Sequence, residues 1–207
     1  MAKSKPAVLE NYQMKKNLLL AGILLFILGF TRKEPTLDKK FAEEAFEYLN
    51  AVRQNPSSYS QEIGTFMKNI PQQKKLNWND TLARIAETKA MDMAKNDYFN
   101  HVDPKGFGIN YYINKAGYKI PKEWLEKKSD NYFESIGNNY QSGKEAISSL
   151  IIDEGVPSLG HRKHLLGIGD FYSKNYDIGI GQAVFPVQGN DDFKETYTCI
   201  IIARHSW

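Results

Sequence analysis

Two β-rich runs close this chain, and they constrain its fold more than any other feature. Residues 178–185 read Ile-Gly-Ile-Gly-Gln-Ala-Val-Phe and residues 197–203 read Tyr-Thr-Cys-Ile-Ile-Ile-Ala, with a polar turn over 188–194 between them. Two such runs joined by a short turn predict an antiparallel hairpin, and their apolar character makes both of them central strands. Helical patterns fill most of the chain before them. Helices first and strands last is the α+β arrangement, whereas β-α-β units would alternate the two.

The helical patterns are local and specific. Phe41, Ala45, Tyr48, Leu49 and Val52 recur at helical spacing, with Glu43, Glu44 and Glu47 off the stripe. Asp38 stands where an N-cap belongs, and Pro56 ends the segment. A second helix starts after Asn79 or Asp80 and carries Leu82, Ile85, Ala86, Ala90 and Met93 to about Asn96. Residues 101–108 contain a proline and two glycines and read as loop, and 110–115 as a short helix ending at Gly117. After Asp130 the period changes: Tyr132, Glu134 and Ile136 alternate with Phe133 and Ser135, which predicts a strand. Ser142 and Glu145 form an S-x-x-E capping box that opens a helix through Ala146, Ile147, Leu150 and Ile151. Gly155 and Pro157 end it, and a short helical segment follows over 161–166.

Composition narrows the function classes. The chain is 42% hydrophobic and 25% charged, a globular balance that excludes disordered and collagen-like chains. Its single cysteine, Cys199, excludes an intramolecular disulfide framework and every multi-cysteine metal site. The formal net charge of +3 resides in the first 30 residues, where Lys3, Lys5, Lys15 and Lys16 outnumber Glu10. The rest is neutral and offers no electrostatic footprint for nucleic acid. Met14-Lys15-Lys16 precedes an uncharged apolar run over 18–30. That run is shorter than the roughly 20 residues of a membrane span and matches a secretory signal. Arg32 and Lys33 follow closely and no Ala-x-Ala precedes Thr31, so an uncleaved anchor is the alternative. Either form exports the body, and the membrane is met only through this segment if it stays uncleaved. The expected organisation is an extension with signal or anchor over 1–30, a linker over 31–37 and one domain over 38–207.

Four histidines are candidates for chemistry: His101, His161, His164 and His205. His161 and His164 are three apart and share a helix face, a spacing also common on solvated surfaces. His205 reads as a satisfied or solvent-facing side chain. Glu134 is the one acid in an otherwise apolar strand and calls for a partner or a sheet edge. Asp153 and Glu154 end a helix where the macrodipole disfavours negative charge, so each meets a cation or points into water. There is no H-E-x-x-H, G-x-S-x-G, P-loop or G-x-G-x-x-G motif, and Ser158 is one residue off a nucleophile elbow. Cys199, mid-strand among isoleucines, reads as a small buried hydrophobe.

Four ordered segments resemble a known family. The run from Leu82 to Gly106, through Asn100-His101-Val102-Asp103-Pro104, is similar to the central segment of the CAP superfamily, whose domain is also called the SCP domain. That group includes the cysteine-rich secretory proteins, antigen-five allergens and plant pathogenesis-related proteins. Leu49-Asn-Ala-Val-Arg-Gln-Asn-Pro56 resembles its first helix, and Phe133-Glu-Ser-Ile-Gly137 stands where members carry G-E-N or a variant. Gly160-His-Arg-Lys-His-Leu-Leu166 is similar to the bacterial G-H-R-x-N-L-L form, with His164 where Asn is commoner. The family's disulfides are missing, as is usual for bacterial members.

The resemblance implies an α-β-α sandwich, a small antiparallel sheet between helices, with a cleft holding two His and two Glu. By position these are His101, Glu134, His161 and Glu154, with Asp153 competing for the fourth place. Some members bind a divalent ion, zinc or magnesium, through the two histidines, which here are His101 and His161; no cofactor beyond that is implied. Two classes of function stay open. The favoured one is an exported binding module that recognises an extracellular or cell-envelope glycan, lipid or peptide. The alternative is a metal-assisted hydrolase with Glu134 or Glu154 as base.

Overall fold

A computed structural model describes residues 33–186 and 193–205. The apolar leader run over 18–30 and most of the turn over 188–194 lie outside the described residues. In chain order the elements are β1 (Thr36–Leu37), α1 (Lys39–Gln54), a 3-10 turn (Pro56–Tyr59), α2 (Ser60–Ile63), β2 (Asn77–Trp78) and α3 (Asp80–Lys95). There follow α4 (Ile109–Lys115), a second 3-10 turn (Lys122–Trp124), β3 (Glu134–Asn138), α5 (Gly143–Ile152), α6 (Gly160–Leu166) and α7 (Gly169–Tyr172). The strands β4 (Asp177–Val184) and β5 (Thr196–Ala203) close the chain. Among the described residues no helix is long and apolar enough to cross a membrane.

The helices begin where side-chain caps satisfy their free N–H groups. Asp38 accepts from the Phe41 amide at 2.9 Å. Asn79 accepts from Thr81 and Leu82 at 3.0 and 3.1 Å. Ser142 accepts from the Glu145 amide at 3.1 Å, and Glu145 reaches back to the Gln141 amide at 2.8 Å. That is a capping box displaced one residue outward.

The sheet runs β1-β4-β5-β3, with the short β2 also beside β4. Every pairing is antiparallel except β2 with β4. The closing hairpin forms as the sequence predicts, from Asp177 opposite Ala203 to Val184 opposite Thr196. β1, which pairs with β4 at Val184 and Ala183, is built from the last two residues of the expected linker. The strand expected around Tyr132 starts only at Glu134, because buried Asn110 captures the Tyr132 amide at 3.1 Å.

Two cores cover the two faces, making the α-β-α sandwich. Leu49, Val52, Ile147, Ile151 and Leu165 of α1, α5 and α6 pack on Ile178, Ile180, Ile200 and Ile202. Leu82, Ile85 and Met93 of α3 and Ile113 of α4 pack with Cys199, Ile201 and Ala203 on the other face. The alternation within β4 and β5 thus fills both layers. Gly179 and Gly181 alternate with Ile178 and Ile180 along β4, on the face toward α3. A Cβ at Gly179 would land on the Ala83 nitrogen and one at Gly181 on the Glu87 nitrogen. The helix therefore lies directly on the strand backbone, and the Ile-Gly-Ile-Gly run is what lets it.

Candidate functional site

β3 forms the far edge of the sheet, and both of its faces carry chemistry. Glu134 pairs with Ile201 and faces the α3 layer, whereas Ser135 pairs with Ile200 and faces the α6 layer.

On the α3 side, His101 Nδ1 lies 2.7 Å from Glu134 Oε2. The Glu134 side chain is 0% exposed and that of His101 40%, so the imidazole reaches outward from a buried acid. Glu134 Oε1 also accepts the Cys199 thiol at 3.5 Å. Burial, then the Glu134 charge, push that thiol well above its ordinary pKa, so it stays protonated and donates. His101 sits in a loop held from beneath by Lys89. The Lys89 ammonium donates to the Asn100 and His101 carbonyls at 2.8 and 3.2 Å and lies 4.9 Å over the Tyr98 ring. Asp103 organises the next turn by accepting from the Lys105 and Phe107 amides at 2.8 and 2.9 Å and from the Tyr112 hydroxyl.

On the α6 side, His161 Nδ1 lies 2.7 Å from Asp153 Oδ1. Asp153 Oδ2 accepts from the His161 and Arg162 amides at 2.9 and 3.3 Å. The acid that follows α5 thus caps the first turn of α6, where the dipole favours it. Arg162 reciprocates. Its Nε donates to the Ile151 carbonyl at 2.5 Å and its Nη2 to that of Ile152 at 2.8 Å, satisfying the end of α5. Asp153 holds a left-handed backbone, φ 56°, and its side chain is 1% exposed against 24% for His161. Glu154, the next residue, is exposed.

A buried hydrogen bond joins the two sides. Ser135 Oγ and His164 Nδ1 are 2.7 Å apart, linking the neighbour of Glu134 to the residue one turn after His161. His164 is pushed down to about 3, first by burial and further by the charges of His161, Arg53 and His101. It is therefore neutral at physiological pH, a structural pin that does not share the solvated face of His161. His205, far along the chain, stacks on Tyr118 with centroids 3.8 Å apart and lies 3.3 Å from Asp177.

Chemically, the two pairs are alike. Each carboxylate takes an Nδ1–H, which fixes the tautomer and leaves Nε2 as an acceptor for a ligand donor or a cation. Among the described residues no cluster of three or more His, Cys, Asp or Glu is arranged to hold a metal. Imidazole nitrogens such as those of His101 and His161 suit zinc and not the oxygen-seeking magnesium.

Ser135, Lys89 and Asp103 support the site without being among its expected residues. Lys89 carries a readable signal: it lies on the apolar stripe of α3, between Ala86 and Met93, and is buried there. A lysine on a core-facing stripe must find carbonyls or acids.

The model of the cysteine-rich secretory protein family, CAP, matches residues 46–199. A crystal structure of an extracellular protein containing an SCP domain from Bacillus anthracis str. Ames is similar at 19% identity with a TM-score of 0.42. The match covers 77% of this chain and 41% of that one, so the chain spans less than half of that protein's length. No curated protein matches the chain. A family match over three-quarters of the sequence, on an α-β-α sandwich, shows that the chain belongs to the cysteine-rich secretory protein (CAP) family.

Proposed function

We propose that this protein is an exported binding module in which His101, Glu134, His161 and Asp153 form one ligand-recognising cleft at the β3 edge, with Glu154 at its exposed rim. One observation carries the reading: both imidazoles are oriented by acids whose side chains are almost fully buried and already committed. Glu134 is taken up by His101 and Cys199, and Asp153 by His161 and two amides. A general base must reach a water or a substrate proton, and neither acid has a free oxygen directed to solvent. This favours recognition over hydrolysis. The outward nitrogens of His101 and His161 would contact ligand oxygens directly or hold a zinc ion, which supplies Lewis-acid attraction for such oxygens. The ligand class is an extracellular or envelope glycan, lipid or peptide. Export rests on the basic start and the apolar run over 18–30.

Calorimetric titration with zinc tests the cleft. The parent is expected to bind one ion, and His101→Ala and His161→Ala to abolish binding without unfolding, while His205→Ala retains it. Unchanged binding in His101→Ala overturns the shared cleft. Incubation of the zinc-treated protein with casein and with soluble cell-wall glycan is expected to give no cleavage. Cleavage that disappears in Glu134→Gln would establish the hydrolase instead.

A further inference from the structure

A cavity of about 580 Å³ opens between α3 and the segment 103–116. Lys89 lines it, but His101, Glu134, Asp153 and His161 do not, so it is separate from the cleft. Its size is that of a small-molecule site. Ile85, Ile109 and Pro104 and the rings of Tyr98 and Tyr112 give it an apolar, partly aromatic wall.

The polar groups within it divide into two sets. The acids are already satisfied. Asp92 accepts from Tyr98 at 2.5 Å and from the Asn96 side chain at 2.8 Å, and Asp103 from two amides and Tyr112. Burial alone would raise the Asp103 pKa, but the Tyr112 hydroxyl, the two amides and the Lys89 charge outweigh it and hold it below the carboxylate range. Lys89 is satisfied too, by Tyr98 and the two loop carbonyls. The cations Arg84, Lys105 and Lys115 make up the second set. They line the same cavity, and none pairs with a carboxylate among the described residues. An entering ligand therefore meets an apolar wall and a lining with an excess of positive charge, four cations against two acids.

We propose that this cavity binds a small aromatic carboxylate, with its flat ring between Ile85, Ile109 and the tyrosines and its anionic group toward Arg84 and Lys115. The charge complementarity selects the anion: four lining cations face two acids that are already engaged. The aromatic wall selects a flat body, since ring faces and edges pack best against other rings.

Calorimetry on the full chain tests this with 2-naphthoate, its neutral counterpart 2-naphthylmethanol and the cationic 2-naphthylmethylamine. The acid is expected to bind at least tenfold more tightly than the amine, with the alcohol between them. Arg84→Glu combined with Lys115→Glu is expected to weaken the acid at least tenfold and to strengthen the amine. Thr88→Trp, an exposed lining position on α3, fills the cavity and is expected to abolish binding of all three. Should that variant fail to fold, Ala116→Trp blocks the same space from α4's end. His161→Ala is expected to bind 2-naphthoate unchanged, which separates this site from the cleft. No binding of 2-naphthoate, equal affinity for acid and amine, or an affinity indifferent to the charge reversal overturns the proposal.

Discussion

Asp153 ends one helix and starts the next while holding His161 by both backbone and ring. Its residue is the left-handed C-cap of α5, and its carboxylate takes the His161 amide at 2.9 Å and the His161 ring at 2.7 Å. One side chain thus fixes the direction of α6 and the tautomer of a site histidine. Asp153→Ala loses the cap and keeps a strained left-handed backbone, and should destabilise the fold by about 2–3 kcal/mol. Asp153→Gly relieves the backbone but not the cap, and should cost about 1 kcal/mol less than the alanine. Urea unfolding of both variants reads the difference. A glycine variant no more stable than the alanine would show that the φ of 56° carries no strain.

His164 makes stability pH-dependent with a sign that the geometry fixes. In the fold it is neutral down to about pH 3, whereas in the unfolded chain it titrates near 6.5. Below 6.5 the unfolded state binds the extra proton. The contribution is therefore fully present above pH 6.5 and declines as pH falls toward 3, by up to about 1.4 kcal/mol per pH unit. His164→Asn places a side chain that can still meet Ser135 but does not titrate, so unfolding midpoints between pH 4 and 6.5 should fall less steeply than in the parent. Identical slopes would mean that the histidine is protonated in the folded state.

Local signals were legible in the sequence and reciprocal ones were not. Asp38, Asn79 and Ser142 cap helices that begin one residue later, and each was readable because cap and helix are adjacent in the chain. The hairpin was readable from two β-branched runs. The acid that pairs with His161 stayed open between Asp153 and Glu154. Spacing puts both at the end of α5, and only the return of α6 against that end decides which carboxylate turns inward. The Ser135–His164 bond was invisible for the same reason, since 29 residues and a sheet-to-helix contact separate its members. The helix expected over 161–166 forms as Gly160–Leu166, but its register against β3 is not written in its spacing.

The glycines of β4 give the sharpest stability test. Gly179 and Gly181 have no room for a Cβ because the α3 backbone at Ala83 and Glu87 occupies it. Gly181→Ala must lift a buried helix whose Leu82, Ala86 and Met93 are fully enclosed, and should cost about 3 kcal/mol or more. Gly155→Ala is the control for the mere loss of a glycine. Nothing lies within 4 Å of its Cβ, so its cost is that of a φ of 76° alone, about 1–2 kcal/mol. Denaturation midpoints in the reverse order would show that α3 can slide off the strand at little cost.

Lys89 is the residue on which the His101 loop depends, although it touches no ligand-facing atom of the cleft. Its ammonium satisfies the Asn100 and His101 carbonyls, and its charge helps to hold Asp103 ionised while Asp103 ties down the Lys105 and Phe107 amides. Lys89→Met keeps the aliphatic stem on the core-facing stripe of α3 and removes only the donors. Two carbonyls then lose their partner, a loss of about 1–3 kcal/mol. The effect should be local: amide exchange should accelerate over 100–107 while the β5 amides, paired on both sides by β3 and β4, keep their protection. The Asp103 pKa should rise, since one of the charges holding it down is gone. Because the Glu134 carboxylate is anchored separately, in β3, the His101–Glu134 hydrogen bond should loosen from the histidine side only. Imidazole nitrogen shifts read that bond directly. Shifts for His101 unchanged by Lys89→Met would show that Glu134 alone positions the ring.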